Sequence, residues 1–383
     1  MFNKKVSVLT TILACLLVAT VTVVGCYFLA PYNKLSRKVN EVTNIINNNF
    51  YGEINEEDMD KAVFSALVAS LKDKYGSYYA VSDAESYLDT YEKESEGLGI
   101  SYIIKENGNI LVVSVHANSP ADKGGVKLYD EIIGVDNLTI KQDGARKLLE
   151  YIGEKSHDEE VKLKLLRNNK EISLTVICGL FEKQTVYYEK IENIGYIKVT
   201  HFDKSTLGGF KLALNNLKAQ NVKALLFDIR SNSGGTVNAV CDVLDLLLPE
   251  CDLISVQYKD GEKRVLRSSD KKCETLPMAV LTNSLTASAS ELFTTAIREI
   301  NNGKIIGEKT FGKGQIQTIF NLTDGSILKI TVGKFYSPLG NNWDKVGVEP
   351  DIEVKLTKEQ QENLYLLTTK NDPVIKKGVE SLK

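Results

Sequence analysis

Apolar positions along the chain recur with one of two periods, and the period changes at a few clear places. From Val6 to Asn33 there is no charged residue and most positions are apolar. Beyond it, VNEVTNIINNNFYG and EEDMDKAVFSALVASLKDKYG carry apolar residues at helical spacing, with Val63, Leu67 and Leu71 every fourth residue and Phe64 beside them. The acidic run EINEEDMD suits the N-terminal end of such a helix, where negative charge meets the positive end of the dipole. Residues 32–95 are therefore expected to be a small helical region.

At Glu96 the texture becomes β-like. GLGISYIIKENGNILVVSV reads as short strands around a turn at ENGN, and NSPADKGGVKLYDEIIGVDNLTI brings turns and a further strand. DGARKLLEYIGE is expected to be a helix and VKLKLLRNNKEISLTVI a hairpin turning at NNK. Residues 96–179 thus form a β-rich domain with one long helix.

From Leu180 strands and helices alternate. IGYIKVTHF, KALLFDIR and LPMAVLTN read as strands, and TLGGFKLALNNLKAQ and NAVCDVLDLLL as helices. A third helix carries Ala289, Leu292, Phe293, Ala296, Ile297 and Ile300 on one face, and GKIIG, QIQTIFNL and SILKITVGKFY follow as strands. This alternation predicts a largely parallel sheet covered by helices over 180–358. KEQQENLYLLTTK predicts a helical tail over 359–383. The fold class is α/β multidomain.

Composition narrows the function. A net charge of −3 over 383 residues, with no basic run, excludes phosphate-backbone binding as the main activity. The uncharged N-terminal stretch exceeds the ~20 apolar residues that cross a bilayer. VVGC, Val23–Cys26, loosely resembles a lipoprotein cleavage box, yet the apolar run continues past it as YFLAP. Residues 1–31 are expected to be an uncleaved, single-pass signal anchor of the cell membrane, with the rest of the chain on the extracytoplasmic side. Cys178, Cys241, Cys251 and Cys273 show no CxxC spacing and no neighbouring His, so no metal site is expected; a Cys251–Cys273 disulfide is compatible with an exported protein.

The chemistry concentrates where LPMAVLTN meets TASASELFTT. Ser288 and Glu291 have the spacing of a helix-capping box. The same place suits a nucleophile, because backbone N–H groups and the positive dipole end there can hold an oxyanion. Position alone does not separate Ser288 from Ser284, Ser290 or Thr286. Of three histidines, His116 and His157 fall in the β-rich domain, and His201 lies just past a strand end. Lysine is the other candidate base. EKTFGKGQIQ holds Lys309 and Lys313 among glycines; it nearly matches a phosphate-binding P-loop, but Gly314 replaces the Ser/Thr that holds magnesium and a strand follows where a helix is needed. Burial makes a lysine a base by disfavouring its charged form. In an extended segment Lys313, Gln315 and Gln317 share a face, so Gln317 is placed to orient the Lys313 amine. Gly234 and Gly235 in SNSGG allow backbone N–H groups to approach a reacting carbonyl.

Together these motifs resemble the C-terminal processing peptidases, also called tail-specific proteases, over nearly everything after the N-terminal stretch. LVASLKDKYGSYY is similar to their helical N-terminal region, GLGI with NSPADKGGVKLYDEIIGVD to their PDZ domain, and FDIRSNSGG to the signature LDLRxNPGG. TASASE resembles SASASE, with Thr286 for serine. TFGKGQIQ resembles TFGKGxxQ, and the closing VGKFYSPLGNNWDKVGVEPDIEV ends in a GxxPDI pattern. Ser233 stands where proline is usual.

The resemblance implies a crotonase-like α/β peptidase core. In it Ser288 is the nucleophile, Lys313 the general base and Gln317 its support, with an oxyanion hole from Gly234 or Gly235 and Ala289. It implies a PDZ groove near Gly97, Leu98, Gly99 and Ile100 for a free C-terminal carboxylate, which selects or gates substrates. The expected activity is endopeptidase cleavage near exposed apolar C-terminal tails through an acyl-enzyme, with protein or peptide partners, no cofactor and a possible homodimer through the terminal helices. The rival expectation is a silent PDZ scaffold or chaperone at the membrane. A third is a Ser-His esterase using His201.

Overall fold

The computed structural model describes residues 8–29, 34–89 and 94–383. The chain divides into two compact units, Met1–Val63 and Phe64–Lys383.

In the first unit Val8–Leu29 and Lys34–Asn49 are helices, and a third helix begins at Glu56. Residues 12–22, where side chains of the first helix are described, are exposed. Among the described residues no helix is long and apolar enough to cross a membrane, so the described structure does not support the anchor expected over 1–31. Residues 1–7 and 30–31 of that stretch lie outside the described residues.

In the second unit the β-rich domain is an antiparallel sheet with strand order Ile100–Ile104, Ile110–Val115, Glu131–Val135, Glu160–Arg167, Lys170–Ile177. The expected hairpin turns at Asn168 and Asn169, both with positive φ (49° and 60°), the conformation that matches strand twist in a tight turn. Every second residue of Glu160–Arg167 points inward: Val161, Leu163 and Leu165 are fully buried with Ile110, Ile132 and Leu148. The entry and exit of the domain are paired to each other, Glu94–Gly97 against Gly179–Glu182.

The larger domain is built on a six-stranded sheet in the order Val186–Ile191, Ile194–Val199, Ala224–Asp228, Met278–Thr282, Lys304–Gly307, Ile352–Glu353, parallel after the first pair. ALLFD and MAVLT are buried at every position because both faces are covered. Leu225, Phe227 and Val280 pack under helices Thr206–Ala219, Val237–Leu247 and Ala289–Asn301. Leu226 and Leu281, alternate in register, pack with Val374, Ile375 and Val379 of a helix over Pro373–Ser381 on the other face.

Several expectations need correction. Gln315–Asn321 and Ile327–Tyr336 do not extend the parallel sheet. Joined by a short turn with Gly325 at φ 94°, they pair with each other, and a second, antiparallel sheet adds Asp252–Tyr258, Lys263–Ser268 and Ser77–Tyr79. Ser77–Tyr79 comes from the stretch expected to be helical. In the tail, KEQQENLYLLTTK yields only the short helix Lys358–Glu362 and a 3-10 turn, Leu364–Leu366. The packed helix is Pro373–Ser381, capped by the Asp372 carboxylate, which accepts the Val374 and Ile375 N–H groups at 2.8 and 3.2 Å. Cys251 and Cys273 are free thiols, so the considered disulfide is absent.

Candidate active site

Strand Met278–Thr282 delivers the chain to a sharp turn, and Ser288 is the residue from which helix Ala289–Asn301 starts. Its backbone is at φ 59°, ψ −119°, not the extended conformation of an ordinary cap. A non-glycine residue held there is strained, and such strain persists only where the surroundings fix it. What fixes it is Glu291. This carboxylate is fully buried, and each oxygen accepts two donors. Oε2 takes the N–H groups of Ser288 and Lys313, both at 2.8 Å. Oε1 takes the Thr310 hydroxyl at 2.5 Å and the Gly312 N–H at 2.7 Å. One side chain thus ties the serine turn to the lysine loop. Burial pushes the Glu291 pKa up, and the four donors oppose that shift.

The lysine loop is held from its other side by the NNWDKVG segment. Trp343 Nε1 donates to the Lys313 carbonyl at 3.0 Å, and Lys345 N–H to the Gly312 carbonyl at 2.7 Å. Gly312 is at φ 90°, and at Gly314 a Cβ would lie 2.6 Å from the Asp344 nitrogen, which explains the glycines flanking Lys313. The Lys313 ammonium position lies 4.5 Å from the centroid of the Tyr75 ring. Burial, then the nearby Lys329 charge, push its pKa down, while Asp73 and Glu291 pull it up. No hydrogen bond joins it to Ser288 in this structure, but both residues line one cavity of about 720 Å³.

That cavity separates the candidates that the sequence left open. Ser288 is the one of the four hydroxyls that lines it with Lys313. Thr286 donates to the Ile229 carbonyl at 3.0 Å, Ser290 is fully buried in the helix, and Ser284 lines a smaller cavity of about 170 Å³. Lys309 is paired with Glu349 at 2.7 Å. Of the histidines, His201 lines the large cavity, and burial lowers its pKa. His116 instead accepts the Gln184 N–H through Nδ1 at 3.2 Å, and His157 is exposed.

Gln317 also lines the cavity, but its amide donates to Thr331 Oγ1 at 3.2 Å, with no bond to the Lys313 amine. Lys313, Gln315 and Gln317 line the same cavity, as alternation predicts, and the bulge in the pairing falls at Val332 on the partner strand, opposite the step from Ile316 to Gln317. Asp73 and Tyr75, from KDKYG, reach the site as well. The Asp73 carboxylate accepts Thr331 N–H at 2.8 Å, Thr331 Oγ1 at 2.9 Å and Tyr75 N–H at 3.0 Å. Sequence reasoning gave neither residue a role; the pairing of Ser77–Tyr79 with Ile327–Tyr336 brings them in.

The glycine pair lies directly against the serine. A Cβ on Gly234 would sit 3.0 Å from Ser288 Cβ, and one on Gly235 2.0 Å from the Phe202 carbonyl oxygen. The Gly234 N–H already donates to Asn232 Oδ1 at 2.9 Å, while Gly235 lines the cavity. The loop's root is fixed by Arg230, which pairs with Asp228 at 2.6 Å and with Asp372 at 2.8 Å. The arginine holds the buried Asp228 carboxyl at a pKa of about 2, against the upward push of burial. Gly235→Ala keeps the backbone N–H, but its Cβ would collide with the Phe202 carbonyl, so the loop has to shift and both the thermal midpoint and kcat/KM are expected to fall. Steady-state kinetics with a melting curve check this, and wild-type stability and turnover would show that the loop absorbs the added Cβ.

In the small domain, Gly97 and Gly99 have φ of 132° and 75°, and Leu98 is buried in the core. A Cβ on Gly99 would meet Ser119 Cβ at 2.3 Å. The Leu98 and Gly99 carbonyls accept Ala121 and His116 N–H groups at 2.8 and 2.9 Å. Ile100 opens the edge strand Ile100–Ile104.

Two family models match, a PDZ domain over residues 97–178 and peptidase family S41 over 193–354. Over 322 residues the chain is 32% identical to the carboxy-terminal processing protease CtpA of Bacillus subtilis, covering 83% of this chain and 69% of that one. The chain belongs to the C-terminal processing proteases. These are serine peptidases, and this member carries the PDZ domain and the S41 core together. A CtpA-like serine protease of Staphylococcus aureus is 28% identical over 96% of this chain and 77% of its own length. Among solved structures, the photosystem II D1 C-terminal processing protease aligns with a TM-score of 0.51 at 25% identity, over 80% of this chain and 84% of that one. An S41 protease from Bacteroides fragilis shares the fold with a TM-score of 0.60 at 16% identity, over 87% and 92% of the two chains.

Proposed function

We propose that this C-terminal processing protease cleaves peptide bonds with a Ser288/Lys313 dyad. The observation that supports this best is the cavity that Ser288 and Lys313 both line, with Glu291 holding both backbones. Neutral Lys313 accepts the Ser288 hydroxyl proton as Oγ adds to the carbonyl carbon. The Gly235 and Ala289 amides stabilise the oxyanion, with Gly234 shaping the loop. The C–N bond then breaks as the Lys313 ammonium returns the proton to the leaving amine. Water, deprotonated by Lys313, hydrolyses the ester, and Ser288 recovers its proton. A free C-terminal tail adds to the Ile100–Ile104 edge, its carboxylate near Gly97–Ile100. The uncharged run from Val6 to Asn33 supports a membrane anchor with the peptidase on the extracytoplasmic side.

The test is digestion of an unfolded protein with an apolar C-terminus by a form lacking residues 1–31. Cleavage by wild type and not by Ser288→Ala or Lys313→Ala supports the dyad. Tail binding without cleavage by any form supports the scaffold. The Ser-His reading has one observation in its favour, the position of His201 on the cavity wall; it requires His201→Ala to be as damaging as Ser288→Ala.

Because burial lowers the Lys313 pKa, kcat/KM should rise with pH on a limb whose midpoint lies below the ordinary lysine value of about 10.4. The folded protein releases this proton more readily than the unfolded chain, so the unfolded state binds more protons between the depressed and ordinary values, and stability rises with pH there. Lys313→Met is expected to melt above wild type at neutral pH, with the gap closing as pH nears about 10. Melting curves across pH check this, and a Lys313→Met protein that melts below wild type at neutral pH would contradict it.

A further inference from the structure

The cavity contains a second lysine outside every motif. Lys329 lies on Ile327–Tyr336, opposite Ser77 on one side and Ile319 on the other. It lines the same cavity as Ser288 and Lys313. Its ammonium lies 5.3 Å from the centroid of the Tyr87 ring. Among the described residues it has no ion-pair partner. The charged groups around the cavity are otherwise committed. Asp73 accepts Thr331 and Tyr75, and Glu291 accepts its four donors. The other walls are largely apolar or aromatic, including Tyr75, Leu88, Phe311, Ile316 and Ile319.

A cation seated on an aromatic face is held in place without being neutralised, unlike a cation in a salt bridge. Its like charge lies close enough to Lys313 to push that residue's pKa down, against the pull of Asp73 and Glu291. Apolar walls that exclude water strengthen whatever anion meets it. In a polypeptide that anion is a carboxylate.

We propose that Lys329 is a substrate-binding residue that takes a carboxylate of the bound peptide, so that the enzyme prefers scissile bonds with a carboxylate close by. This rests on the peptidase reading of the same cavity and adds a specificity element that operates in the catalytic domain. The carboxylate has two sources, the terminal α-carboxylate or an Asp or Glu side chain.

The test uses the full chain in detergent micelles and three matched apolar peptides. One has a free acid terminus, one a C-terminal amide, and one an amide with glutamate near its end. For wild type, kcat/KM is expected to be about tenfold or more higher for the acid than for the amide, the size of a charged hydrogen bond. Lys329→Met should lower that ratio severalfold, leaving the share contributed by the Gly97–Ile100 groove, and Lys329→Arg should keep most of it. Taking a ratio cancels any effect of these variants on Lys313. Recovery with the glutamate amide identifies a side-chain carboxylate as sufficient; no recovery identifies the α-carboxylate. A wild-type ratio near one, or a ratio unchanged in Lys329→Met, overturns the proposal while leaving the peptidase intact. If wild type cleaves no peptide, the peptidase reading fails. The acid-to-amide Kd ratio of labelled peptides, with and without Lys329→Met in a Ser288→Ala background, then decides the role of Lys329 on its own.

Discussion

Lys313→Ala is expected to lower kcat/KM on an unfolded protein by about three orders of magnitude or more, with Ser288→Ala equally damaging and the double variant no worse than either. Residues that act as one unit lose nearly everything at the first removal, because a serine hydroxyl without a base is a weak nucleophile. Lys313→Arg should not rescue activity, since a guanidinium does not give up its proton near neutral pH. Both alanine variants should keep wild-type circular dichroism, because the Lys313 loop is held through its backbone by Glu291, Trp343 and Lys345. His201→Ala is the control, and its expected loss is far smaller. Equal losses for His201 and Ser288, with Lys313→Ala active, would transfer the base to the histidine.

Glu291→Gln is the second large effect, expected to inactivate the enzyme and to cost about 3 kcal/mol or more in stability. The usual isostere fails here for a geometric reason. Each carboxylate oxygen of Glu291 accepts two donors, so an amide NH2 at either position faces two N–H groups or an N–H and a hydroxyl. Either orientation leaves buried donors unpaired, each at about 1–3 kcal/mol. The loss should fall on Ser288 geometry as well as on folding, because the Ser288 N–H bond is one of the four. Chemical denaturation and single-turnover kinetics separate the two effects. A Glu291→Gln protein with wild-type stability and turnover would refute the account. Glu291→Ala should be at least as damaging, since it also opens a cavity.

Much of the site was legible because its motifs combine residue type with a backbone demand. SNSGG, TASASE and TFGKG each join a chemical group to glycines or to a helix start, and those demands survive as positive φ at Ser288, Gly234, Gly235 and Gly312. What stayed hidden is what long-range pairing brings in. Asp73, Tyr75 and Lys329 carry no local signature, and they meet only because a strand from the N-terminal region joins the edge of the second sheet. Glu291 was visible as a capping residue, but the spacing that suggests a cap says nothing of donors arriving from Thr310 to Lys313. Gln317 lies between the two cases: alternation puts it on the cavity wall with Lys313, and its amide donates to Thr331, a partner that only the strand pairing supplies. The parallel sheet was readable from its fully apolar strands. The antiparallel one was not, because its half-exposed strands resemble any edge pattern.

The pairing of Arg230 with Asp372 has a consequence for timing. The loop carrying Gly234 and Gly235 is rooted on an arginine whose second carboxylate arrives only with the helix Pro373–Ser381. During synthesis the serine, the lysine and the glycines all emerge before that helix does. A growing chain therefore holds all these groups while Arg230, at the root of the glycine loop, has only Asp228 as its partner. A form ending before Asp372 is expected to keep Ser288 and Lys313 but to lose one of the two carboxylates that hold Arg230.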